Sequence, residues 1–159
     1  MIRLSKCALV AALALLLGLV VFNNAVDYGS NLAFVRHVLS MDTTFPGNGL
    51  MGRALTAPWV HHSFYIGIIL WETVACGLLG LGAWRLWRAR RGSPDEFHEA
   101  KAVAAAGLTA SALLWLVAFL GVGGEWFAMW QSPAWNGQAA AARMFEVTGI
   151  LLVFVATRE

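Results

Sequence analysis

The chain has 159 residues, of which 59% are hydrophobic and only 13% charged, with a formal net charge of +2 and a mean hydropathy of +0.66. A soluble domain of this size needs more polar surface than that composition supplies, so the chain reads as a membrane protein. A near-balanced charge without a soluble basic domain also excludes nucleic acid as a partner.

Roughly 20 apolar residues cross a bilayer, and four stretches of the sequence qualify. The first covers residues 7–25. Arg3 and Lys6 precede it in the manner of a secretory signal, but its exit, Asn23-Asn24-Ala25-Val26-Asp27, lacks the spaced small residues of a cleavage site. It is read as a retained helix. Cys7 and Cys76 are the only cysteines and imply no disulfide framework.

The connection that follows, 26–61, is long for a structureless loop. Leu32, Val35, Val38 and Leu39 recur at helical spacing, which predicts a short amphipathic helix over 31–41. A turn-rich piece follows over 42–49, then a helical turn over 52–55, and Pro58 opens the approach to the next span. This connection is expected to form an ordered cap.

The second span, 62–84, carries Glu72 inside a run, 63–84, that holds no other charge. A carboxylate there is costly unless it is paired, protonated or hydrated, which makes it a functional candidate by default. The connection 85–101 is basic, and Ser93, Pro94 and Glu96 have the spacing of a helix start with a capping box. After the third span, 102–121, comes a segment that brings Trp126, Trp130 and Trp135 together with Glu125, Asn136 and Gln138. An aromatic belt at the headgroups accounts for the indoles. It accounts less well for the polar groups between them. The fourth span, 139–157, carries Arg143 and Glu146.

Arg3, Lys6, Arg85, Arg88, Arg90, Arg91, Lys101 and Arg158 fall on one side of this arrangement, leaving Arg36, Arg53 and Arg143 on the other. The positive-inside rule makes the first side cytoplasmic and places both termini there. The segment 123–138 (GGEWFAMWQSPAWNGQ), the segment 37–55 (HVLSMDTTFPGNGLMGRAL) and the His61-His62-Ser63 to Trp71-Glu72 stretch together resemble DUF2165, a family of predicted small integral membrane proteins of bacteria. The resemblance implies a four-helix protein of the bacterial inner membrane. It brings no activity, substrate or cofactor with it.

Counting helical rise from His61 and Gln138 puts Glu72 roughly 16 Å, Glu146 about 12 Å and Arg143 about 7 Å below the outer boundary. Asn23 and Asn24 lie at heights comparable to Arg143, so a polar cluster of Glu72, Arg143, Glu146 and Asn23 is expected in the outer half, with Glu125 above it. Arg143 and Glu146 are three apart and can pair on one helix face. Glu72 then either shares Arg143 or carries a proton. Such a cluster either locks helix packing or lines a cavity open to the outside, and both readings stay open.

His37, His61 and His62 are the only metal or haem candidates, with Asp42 and Glu125 within reach. Adjacent His61 and His62 point about 100° apart on a helix, and no paired-ligand motif is present, so no metal is assigned. The cofactor is left unassigned.

The expected fold is all-α: a polytopic four-helix transmembrane bundle forming one membrane domain over 1–159. It has an ordered extracytoplasmic cap (26–61 and 122–138) and a cytoplasmic loop (85–101). Gly18, Gly77, Gly80 and Gly107 are expected to let helices approach closely. The favoured function is a non-catalytic binding or accessory subunit of a membrane complex, whose partners are the lipid bilayer and either another membrane protein or a second copy. It predicts an exposed patch of Trp126, Trp130 and Trp135. The alternatives are a small transporter or proton-linked site using Glu72, and a redox protein binding haem, metal or quinone.

Overall fold

A computed structural model describes residues 1–158. The helices are α1 (Ile2–Val26), α2 (Tyr28–Ser40), α3 (Pro58–Ala89), α4 (Pro94–Leu113) and α5 (Gln138–Ala156), with short 3-10 turns at Met51–Arg53 and Met129–Gln131. Past Leu113, α4 continues without a break as a π-helix over Leu114–Trp126. No strand occurs among the described residues. Four helical units, α1, α3, α4 with its π extension, and α5, are long and apolar enough to cross a membrane.

Local chemistry sets the ends of these elements. Pro58 and Pro94 each occupy the first turn of a helix, where a missing N–H costs nothing. Ser93 caps α4 as its spacing predicts: its Oγ accepts from the Glu96 N–H (3.2 Å), and its own N–H donates to Glu96 Oε2 (2.8 Å). Ser93→Ala is therefore expected to cost about 1 kcal/mol, read as a lower melting temperature with unchanged helix content. The amphipathic helix predicted over 31–41 is found as α2, which stops where Met41 takes the left-handed conformation at φ 55°. Its Val35, Val38 and Leu39 are buried with Tyr65, Phe127 and Met129, which closes one end of the bundle.

The spans pack along seams with a seven-residue period. Val10, Leu17 and Asn24 on α1, Tyr65, Glu72, Leu79 and Leu86 on α3, and Ala141, Thr148 and Val155 on α5 are all buried. A seven-residue repeat keeps one stripe of each helix facing its neighbour, as in left-handed bundles. On α4 the stripe runs Phe97, Lys101, Ala104, Leu108 and Ser111, and Trp115 extends it into the π-helix.

The closest approach is between α3 and α4. A Cβ at Gly82 would lie 2.6 Å from the Ala104 Cα, and one at Gly107 would lie 2.9 Å from the Leu79 backbone N. Gly107 therefore acts as expected. Gly77 and Gly80 have nothing within 4 Å, and Gly18 meets only Cys76 Sγ at an ordinary 3.6 Å. Gly82 supplies the contact expected of them.

At the end opposite α2, two lysines turn inward. Lys6 and Lys101 are 0% and 4% exposed. Lys6 Nζ donates to Thr157 O (2.5 Å) and Thr157 Oγ1 (3.0 Å), and Lys101 Nζ donates to Thr157 O (2.6 Å). The last carbonyls of a helix have no partner within it and carry the negative end of its dipole, so a cation there meets both needs. Arg3 Nη1 adds a bond to Gly92 O (2.7 Å) in the α3–α4 connection. Both chain ends and that connection thus share one end of the bundle.

Candidate functional site

Glu72 faces the bundle interior because it lies seven residues after Tyr65 and seven before Leu79 on the α3 seam, and it is 2% exposed. Its partner is Asn24, whose Nδ2 donates to Glu72 Oε2 at 2.6 Å. One position earlier, Asn23 is exposed. The α1 seam, stepping from Val10 to Leu17 to Asn24, picks the second asparagine. Tyr65 O–H donates to the Asn24 carbonyl (3.1 Å), so backbone and side chain of Asn24 are both tied to α3, two turns apart. Among the described residues, Glu72 Oε1 has no hydrogen-bond partner.

A cavity of about 170 Å³ opens beside this group, lined by Asn24, Asn31, Tyr65 and Glu72 and walled by Phe34, Trp115 and Phe119, among others. Trp115 is 8% exposed, and its Nε1 is buried with no hydrogen-bond partner. A buried N–H left unsatisfied is rare and calls for a cause. Next to it, α2, α3 and the π-helix enclose a larger apolar groove of about 320 Å³, reaching from Val38 and Leu39 to Phe64, Gly67 and Val117. Phe34, Val35, Ile68 and Phe119 line both spaces, so the two adjoin.

The expected outer cluster is divided by the structure. Arg143 and Glu146 are exposed. Among the described residues neither forms an ion pair with the other or with Glu72. The α5 seam explains this: with Ala141, Thr148 and Val155 turned inward, positions 143 and 146 fall on the opposite side of the helix. That same outer face carries Val147, Ile150 and Val153, which are 45%, 68% and 69% exposed. Glu125 is exposed at the end of the π-helix.

In the cap, Trp126 and Trp130 are 54% and 47% exposed, whereas Trp135 is half-buried and stacks on His37 with ring centres 4.5 Å apart. Arg53 lies over the Trp126 ring (4.5 Å), and its Nη1 donates to the Trp126 carbonyl (3.2 Å). Asn136 Oδ1 accepts from the Gln138 N–H (3.0 Å) in a turn that opens α5, and the Gln138 side chain rests against Gly124. The histidines are engaged separately. His37 Nε2 meets Arg36 at 3.2 Å, which leaves Nδ1 as the donor to Asp42 Oδ2 (2.9 Å). His61 Nε2 donates to Leu55 O (2.7 Å), and His62 Nδ1 pairs with Tyr28 O–H (2.9 Å). Among the described residues no three His, Cys, Asp or Glu side chains converge as metal ligands.

Tyr65, Asn31 and Trp115 are members of the site that no motif marks. Trp115 could have been found by continuing the α4 stripe one step beyond Ser111. A family model described as "Predicted small integral membrane protein (DUF2165)" matches residues 2–158. No curated protein and no solved structure matches the chain.

Proposed function

The chain belongs to the DUF2165 family of predicted small integral membrane proteins, and from the outer face of α5 we propose a non-catalytic subunit that assembles inside the membrane through that face. The observation that carries this reading is the exposure of Arg143 and Glu146 within a membrane-spanning helix. Glu146, about 12 Å below the outer boundary by helical rise, lies near the middle of its span, where a charge costs about 3 kcal/mol and turns toward protein or water rather than lipid; Arg143 lies one turn nearer the boundary. Their partner therefore lies outside this chain.

A second copy meets the requirement. Arg143 and Glu146 are one turn apart, so in two parallel α5 helices related by a two-fold axis like positions lie level and each arginine reaches one turn along to the other copy's glutamate. Ala139 and Ala140 above them, exposed and small, let the helices come close, and Val147, Ile150 and Val153 continue the apolar stripe below. The reading places the chain as one membrane domain in the bacterial inner membrane with both termini cytoplasmic, following the basic residues gathered at that end. Trp126 and Trp130 then face outward as the surface available to a larger complex.

Charge reversal tests this. Two copies per particle are expected by mass measurement in mild detergent, single copies for Arg143→Glu or Glu146→Arg alone, and restored pairs when both reversals are combined. Unmodified protein that emerges consistently as a single copy sinks the proposal.

A further inference from the structure

We propose that the open pocket between the first turn of α1 and the end of α3 binds the phosphate of an anionic phospholipid from the leaflet on that side of the membrane. The inference does not rest on the α5 assembly.

The pocket has a volume of about 720 Å³ and is lined by Arg3, Arg90 and Arg91 together with Ile2, Leu4 and Trp87. It gathers cations and an apolar rim in one place. A guanidinium carries five N–H donors and no acceptor. Arg90 Nη1 spends one on the Trp87 carbonyl (2.6 Å), and Arg91 spends none among the described residues. Asp95, Glu96 and Glu99 follow on α4, yet among the described residues no carboxylate pairs with Arg3, Arg90 or Arg91. The open valences are therefore all donors and all cationic. A negative group made only of acceptors fits them, and the arginine fork matches the paired oxygens of a phosphate.

Two of the three arginines are set in place rather than trailing into solvent. Arg3 Nη1 donates to Arg90 O (3.3 Å) and Gly92 O (2.7 Å), which ties α1 to the end of α3. The Arg90 guanidinium lies 3.7 Å from the centre of the Trp87 ring. Side chains already held lose less freedom on binding, so the anion meets a site partly built.

The surroundings favour a lipid over a free phosphate. Trp84 and Trp87 are half-exposed near the end of α3, a membrane-spanning helix, and such indoles mark the headgroup level. A phosphate beside Trp87 thus lies at the depth of lipid phosphates, where basic pockets between spanning helices take lipid heads. From the pocket, Leu4, Ala8, Ala11 and Leu15 continue along one side of α1, all of them exposed. That stripe gives acyl chains an apolar bed beneath the arginines. A free phosphate would use the guanidiniums and leave the stripe bare. Phosphatidylcholine and phosphatidylethanolamine fit less well, because each brings a cation among the arginines.

The test is native mass spectrometry of the full-length protein in mild detergent. Phosphatidylglycerol, phosphatidylcholine with the same acyl chains and glycerol 3-phosphate serve as probes at equal concentration. One phosphatidylglycerol per chain is expected, with each of the other two held at least about tenfold more weakly, the size of one charge-assisted hydrogen bond. Arg91→Gln should weaken phosphatidylglycerol by about tenfold and leave phosphatidylcholine unchanged. Arg85→Gln removes the same charge from an exposed position of α3 outside the pocket, and should leave phosphatidylglycerol bound as before. Equal affinity for the two lipids on the unmodified chain overturns the proposal, and so does glycerol 3-phosphate binding as tightly as phosphatidylglycerol, which would make a free phosphate the occupant. Equal effects of Arg85→Gln and Arg91→Gln also overturn it, since a diffuse field rather than a site would then attract the lipid. Circular dichroism checks the folding of both variants, and the comparison of probes needs neither.

Discussion

Gly82→Leu is expected to lower the stability of the bundle by about 3 kcal/mol, while the same change at Gly80, two residues away, leaves it nearly untouched. At Gly82 even a methyl group meets backbone: Ala104 Cα at 2.6 Å and Ala104 N at 2.7 Å. Backbone cannot swing aside as a side chain can, so α3 and α4 must separate along their closest stretch. That separation also loosens Leu79 and Leu108, both fully buried. At Gly80 nothing lies within 4 Å, and the leucine extends outward. Unfolding of both variants in mixed micelles, followed by helix content as denaturing detergent is raised, measures the difference. Equal losses at the two positions would refute the close α3–α4 packing.

The second large effect concerns the base of the bundle. Lys6→Met and Lys101→Met keep most of the aliphatic stem but remove the ammonium that binds Thr157. Hydrogen bonds to charged groups contribute about 1.5–3 kcal/mol each. Each variant should lose about 2–3 kcal/mol, with faster backbone hydrogen exchange in the last turn of α5. Because both lysines reach the same Thr157 carbonyl, either one alone still serves it, and the double variant should lose more than the two single losses added together. Strict additivity would show that the two ammonium groups act separately.

Much of the architecture was legible in the residues. Four apolar stretches, a capping box at Ser93 and the helical spacing of Leu32, Val35, Val38 and Leu39 became the spans, the start of α4 and α2. Those signals are local: each depends on composition or on neighbours within a turn or two. The partners of Glu72 were harder, because depth along a helix says nothing of direction around it. Asn23, Asn24 and Arg143 lie at similar heights, yet only Asn24 shares a seam with Glu72. Counting in sevens from Val10 would have chosen between the asparagines, and the phase of Ala141, Thr148 and Val155 would have turned Arg143 and Glu146 away.

Two features lay beyond that rule. The positive-inside pattern treats Lys6 and Lys101 as solvated charges that orient the chain, whereas both are buried and bind the end of α5. The π-helix changes the period itself. Its bonds step five residues, as from the Phe127 N–H to Val122 O (3.0 Å), so Leu114 and Trp115 share the buried side with Gly123 and Gly124. In an α-helix, Gly124 would stand about 180° from Trp115. No hydrophobic periodicity tuned to α geometry reveals that alignment.

The lysine clasp also orders the making of the protein. Lys6 and Thr157 are 151 positions apart, so the contact that closes the base joins α1 to α5, which leaves the ribosome much later. Through most of synthesis α1 can pair with α3, by Asn24 on Glu72 and Tyr65, but the Thr157 acceptor does not yet exist. Closure of the base therefore follows the crossing of α5, which delivers its carbonyl end to Lys6 and Lys101.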